Sequence, residues 1–136
     1  MAQETKHLTI AWQDGLRFEG TIPGGALVRV DGDNETAPGP MLTLLAAAAG
    51  CTGADVVSIL GKMRVALESF RIDVAGVRRE EEPRRYVGIH LTYHLRAAGL
   101  DEVRARRAID LSLEKYCSVM HSLAADMRVT YDLALG

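Results

Sequence analysis

Two cysteines, Cys51 and Cys117, are the residues of this 136-residue chain best suited to do chemistry. A thiolate is a nucleophile and a metal ligand, and a second thiol within reach converts an oxidised sulfur into a disulfide. Both lie among small or apolar neighbours, in Gly50-Cys51-Thr52-Gly53 and Tyr116-Cys117-Ser118. Two helices packed face to face would bring the sulfurs together. Burial without a nearby cation would instead raise both thiol pKa values and leave two inert core residues. Asp55 falls four residues after Cys51 on the same helical face, where its charge opposes thiolate formation or serves a structural contact. Lys115 is placed to pair with Asp55, to lower a thiol pKa, or to pair along its own helix.

The other constellations carry less chemistry. Cys117 and His121 are spaced i,i+4, and His90 and His94 share a strand face, yet neither set reaches four ligands. There is no Cys-x-x-Cys or His-Glu-x-x-His, so no metal is expected. Gly20, Gly24 and Gly25 do not form a dinucleotide fingerprint, and no phosphate loop is present, so no nucleotide cofactor is expected. The net charge of −2 is spread over interspersed signs, leaving no basic stripe for nucleic acid. Apolar residues make up 48% of the chain and charged residues 25%, which is ordinary globular usage. No leader opens the sequence and no uninterrupted apolar run reaches roughly 18 residues, so a cytoplasmic location without a membrane partner is expected.

The elements that must position the thiols follow from periodicity. Residues 7–12, 16–22 and 26–30 alternate or are β-rich, with Asp14-Gly15 and Pro23-Gly24-Gly25 as turns, which predicts an antiparallel meander. Residues 31–40 are almost all turn formers, and Pro40 suits a first helical turn. The segment 41–67 reads as a helix whose first part, 41–54, carries no charge. A helix apolar around its circumference must be buried on every side, and a chain this short is best supplied with that cover by a second copy of itself. Residues 69–82 and 85–97 predict a long hairpin, 101–117 a helix that continues or restarts over 118–125, and 127–135 a last strand.

Several of these motifs resemble a known family. Pro40-Met41 leads into an Ala-rich helix carrying Gly50-Cys51-Thr52 and Asp55-Val56-Val57-Ser58-Ile59-Leu60. Arg78-Arg79-Glu80-Glu81-Glu82-Pro83-Arg84 forms a charged hairpin. Asp110-Leu111-Ser112-Leu113-Glu114-Lys115-Tyr116-Cys117-Ser118-Val119 forms a second cysteine motif. Together they resemble the OsmC/Ohr family of thiol-dependent hydroperoxide reductases, with the YhfA-like branch most similar, and the likeness runs from Trp12 to Tyr131.

The resemblance implies an α/β (α+β) OsmC-like fold, one domain over residues 1–136, with antiparallel sheets wrapped around two long central helices of an intertwined homodimer. It implies peroxidase chemistry on organic or lipid hydroperoxides, with Cys51 attacking the peroxide, Cys117 resolving the product to a disulfide, and an external dithiol reductant restoring the pair. The family also uses an arginine from an early strand and a glutamate near the start of the first cysteine helix. Arg17 is the candidate for the arginine, with Arg29 as the alternative. The helix entry offers no carboxylate, and Glu35 lies upstream in the loop. Phe18, Met41, Leu42 and Leu45 are candidates for an apolar substrate lining. The competing expectation is a weakly active or non-catalytic protein of this fold that binds an apolar small molecule at the dimer interface.

Overall fold

Alternation near the N-terminus produces three short strands, β1 (Thr9–Asp14), β2 (Arg17–Thr21) and β3 (Leu27–Asp31), in one antiparallel sheet of that order. The computed structural model describes residues 3–136, and its contacts divide the chain into two units, Met1–Leu44 and Leu45–Gly136. In the first unit the turn between β1 and β2 is made at Gly15, whose φ of +47° is the left-handed conformation that glycine adopts without penalty. The register sets Trp12 opposite Phe18 and Phe18 opposite Val30. Because side chains alternate along a strand, these residues share one apolar face with Ile10 and Val28. Trp12 on that face is 64% exposed.

The loop after β3 is organised by one carboxylate. Asp31 is buried, and its oxygens accept the backbone N–H groups of Asp33, Glu35 and Thr36 together with the Thr36 hydroxyl. These donors, the Thr36 N–H foremost, pull its pKa down to about 2. The loop closes where the Gly39 N–H donates to Asn34 Oδ1 at 2.7 Å, immediately before the helix.

Helix α1 (Pro40–Lys62) begins at a proline, whose missing N–H costs nothing in the first turn. Within the second unit it buries Leu45, Ala48, Thr52, Val56 and Leu60, one stripe at helical spacing. It ends five residues short of the expected limit, because Arg64 takes a left-handed φ of 63°. The Arg64 N–H then donates to Gly61 and the Val65 N–H to Leu60, a capping pair that stops the helix. Ala46, Ala47, Gly50, Ala54 and Val57 on α1 are exposed in the single chain. By length and composition alone, this helix would also suffice to cross a membrane.

The second sheet has the order β4 (Ser69–Arg78), β5 (Tyr86–Arg96), β6 (Arg128–Leu135). The hairpin β4–β5 is antiparallel as expected, but β6 runs parallel to β5, so this sheet is mixed. The physical reason is the connection: β5 and β6 are joined through helices α2 (Glu102–Leu111) and α3 (Ser118–His121), a crossover long enough to return the chain in the same direction. Ile89, Leu91, Tyr93 and Leu95 alternate along β5 and are buried with Ala105, Ala108 and Ile109 of α2. Gly76 on β4 accommodates the Tyr86 ring, since a Cβ there would lie 2.4 Å from Tyr86 Cε1 and 3.0 Å from Leu45 Cδ2.

Candidate active site

Cys51 sits half-buried near the middle of α1, one residue before the buried Thr52. Cys117 is fully buried but does not lie within a continuous helix. After α2 the chain makes one π-helical turn, Ser112–Tyr116, in which the Cys117 N–H donates to the Ser112 carbonyl at 2.7 Å. Cys117 itself is extended, with φ −72° and ψ 97°, and α3 restarts behind it. In an unbroken α-helix residues five apart point about 140° away from each other. The wider turn reduces that divergence, both Ser112 and Cys117 are buried, and π-turns of this kind are frequent at functional sites.

The two elements meet at a compact cluster. The sulfurs of Cys51 and Cys117 and a carboxylate oxygen of Asp55 all lie within 4.8 Å of one another, and both thiols are free. A buried hydroxyl chain supports the cluster. Tyr93 Oη is 2.9 Å from Thr52 Oγ1, which is 2.7 Å from Ser112 Oγ, and Ser112 donates to Asp55 Oδ2 at 2.9 Å. Each hydroxyl has a single proton, so the Ser112 donation sets the direction of the whole chain: Tyr93 donates to Thr52, Thr52 to Ser112, and Ser112 to Asp55.

Burial pushes the Tyr93 phenol up to about 12. Burial also pushes the Cys117 thiol up to about 11, and the neighbouring Cys51 thiol and Asp55 charge act in the same direction. The Met120 backbone N–H opposes them. Cys117 is therefore held as a neutral thiol, and Cys51 is the more accessible sulfur.

The remaining residues singled out in the sequence are placed as follows. In the first unit Arg17 is ion-paired with Asp14 at 2.7 Å, Asp31 at 3.7 Å and Glu35 at 3.9 Å, so the loop carboxylate does reach an early-strand guanidinium. Arg29 pairs with Glu19 at 3.2 Å. Phe18 and Leu42 are exposed, Met41 is half-buried, and Leu45 is buried in the core of the second unit. The Lys115 ammonium lies 5.2 Å from the Tyr116 ring centroid, and no Lys115–Asp55 ion pair occurs among the described residues. His121 Nε2 bonds to the Leu113 carbonyl, His90 to Thr130 and Asp132, and His94 to Asp73 and Arg71. Thr52, Tyr93 and Ser112 were not legible as site residues. The one signal for them was a threonine on the apolar stripe of α1, where an unpaired hydroxyl would be costly.

Residues 32–132 match the family model described as OsmC-like protein. The chain belongs to the OsmC family. Protein YhfA of Escherichia coli K12 is 38% identical over 123 residues, spanning 90% of this chain and 92% of its relative. An OsmC-like protein from Mycoplasma pneumoniae superposes with a TM-score of 0.84 over 98% of this chain and 99% of its own at 14% identity. The organic hydroperoxide resistance protein OhrB of Bacillus subtilis does so with a TM-score of 0.61 over 99% and 100% at 18% identity. At such identities these two show a shared OsmC-type fold, while the relation to YhfA and the family model carry the membership.

Proposed function

We propose that this protein reduces organic or lipid hydroperoxides through Cys51 and Cys117. The observation that carries the reading is the meeting of two free sulfurs, one half-buried and one fully buried, in a single cluster. The Cys51 thiolate attacks the distal peroxide oxygen and the O–O bond breaks. The alcohol leaves after taking a proton, and Cys51 becomes a sulfenic acid. The Cys117 sulfur then attacks Cys51, the S–O bond breaks, water departs, and a disulfide forms. An external dithiol returns both thiols to the reduced state. Membership of the OsmC family, and the likeness in fold to the organic hydroperoxide resistance protein OhrB of Bacillus subtilis, support this chemistry.

In this reading Arg17 supplies the cation that favours the thiolate. Its support is a guanidinium fixed by carboxylates, with Glu35 providing from the loop what the helix entry lacks. Phe18, Met41 and Leu42 supply apolar surface for the alkyl group, whereas Leu45, buried in the core, does not. The working form is a homodimer, because the apolar face of the first sheet and the small-residue face of α1 are exposed in the single chain. Reduced protein is expected to consume cumene hydroperoxide, and Cys51→Ser to abolish turnover; undiminished turnover by that variant would defeat the proposal.

A second reading, binding of an apolar small molecule without catalysis, is favoured by a cavity of about 550 Å³ in the second unit, lined in part by Leu113, Met120, Leu123, Met127 and Val129. Titration of Cys51 separates the two. A thiol pKa at or above the free value of about 8.5 favours binding, and a lower one favours the peroxidase.

A further inference from the structure

We infer that Cys51, Asp55 and Cys117 form a site for a soft divalent cation of the Zn2+ class in the reduced protein, and that metal and peroxide compete for the same sulfurs. The competition rests on the peroxidase reading, whereas the metal site rests on geometry alone.

The donor set has the composition and spacing of a three-ligand tetrahedral site. Zinc–sulfur and zinc–oxygen bond lengths place ligand atoms about 3.6–3.8 Å apart around a tetrahedral ion. The three donors here already lie within 4.8 Å of one another, so small side-chain rotations close the remaining gap of about 1 Å. Two sulfurs select a soft or borderline ion over Mg2+ or Ca2+. The half-buried position of Cys51 leaves a side open for water as a fourth ligand.

Two further observations point the same way. The Ser112 hydroxyl holds Asp55 Oδ2 and leaves the other carboxylate oxygen available, the outer-shell orientation that metal-binding carboxylates receive. Among the described residues no Lys, Arg or His forms an ion pair with Asp55, although its carboxylate is half-buried beside two thiols. A dication supplies the missing positive charge. Sulfur binds such an ion as thiolate.

Occupancy ties up the electron pair with which Cys51 attacks a peroxide. Conversely, a hydroperoxide that oxidises the metal-bound pair takes two electrons from the sulfurs and two protons from solvent. The products are the disulfide, an alcohol, water and the released cation.

The test is anaerobic titration of the reduced, full-length protein with Co2+, read by thiolate-to-cobalt charge transfer and tetrahedral visible bands, then by displacement with Zn2+. One Co2+ per chain is expected, with charge transfer lost in Cys51→Ser and in Cys117→Ser. Ser112→Ala, with its fold checked by circular dichroism, is expected to weaken binding roughly tenfold. Zn2+ should also slow alkylation of Cys51 in the wild-type protein. A weak octahedral cobalt spectrum without charge transfer, or charge transfer that survives Cys51→Ser, would overturn the site. Protein that binds Co2+ this way but consumes no hydroperoxide would remove the peroxidase reading and leave the metal site. Turnover without cobalt–thiolate bands would do the reverse.

Discussion

The hydroxyl of Ser112 donates to Oδ2 of Asp55 across 2.9 Å, joining the π-turn that leads to Cys117 with the helix that carries Cys51. Through this bond and the one between Thr52 and Ser112 the two thiol-bearing segments share a polar connection. Ser112 also accepts from Thr52, so a single small side chain satisfies one buried and one half-buried group.

Removing that hydroxyl should therefore cost more than its size suggests. Ser112→Ala leaves Thr52 without its acceptor and Asp55 without its donor, and the penalty for such orphaned groups is about 1–3 kcal/mol. Urea denaturation of reduced protein checks the value. A stability equal to wild type would mean that the hydroxyl chain contributes nothing.

The unequal burial of the two sulfurs predicts an order of reactivity. With a thiol pushed up to about 11, Cys117 should resist iodoacetamide while Cys51 is modified first, as peptide mapping by mass spectrometry would report. The same shift has a stability consequence. A folded-state pKa above the unfolded value of about 8.5 means that the contribution of neutral Cys117 is complete below that pH. It is lost progressively as pH rises from about 8.5 towards about 11. Faster labelling of Cys117 than of Cys51 in folded protein would contradict the assignment.

Asp31 predicts the opposite dependence in the first unit. Its folded pKa of about 2 lies below the unfolded value of about 3.9, so its contribution is present above that value. It disappears as pH falls from about 3.9 towards about 2. Amide hydrogen exchange at Asp33, Glu35 and Thr36 should accelerate across this window, and Asp31→Asn should show weakened protection already at neutral pH. Protection unchanged in that variant would mean that the carboxylate does not organise the loop.

The parts of the fold that could be read from the residues are those whose signals are local. Alternation with Asp14-Gly15 marks β1 and β2, the long alternating runs around Glu80-Glu81-Glu82 mark β4 and β5, and the chargeless, Ala-rich stretch after Pro40 marks α1 as a helix. The direction of β6 is not written in its own alternation, because a strand reads the same whether its neighbour is parallel or antiparallel. The connection through α2 and α3 decides it. The π-turn is equally hidden. Residues Ser112–Tyr116 have ordinary helix-forming side chains, and what matters there is the contact of Ser112 with Thr52 and Asp55, made by residues distant in sequence. The approach of Glu35 to Arg17 depends on a loop folded around Asp31, a long-range consequence that no period records.

The pairing of Cys51 with Cys117 is tested most directly by treating fully reduced protein with one equivalent of an organic hydroperoxide and mapping the product by mass spectrometry under non-reducing conditions. The account predicts a Cys51–Cys117 disulfide within a single chain, reversed by a dithiol, with Cys117→Ser instead accumulating sulfenic acid on Cys51. Both thiols remaining reduced while the peroxide persists, or a disulfide only between Cys51 residues of different chains, would contradict it.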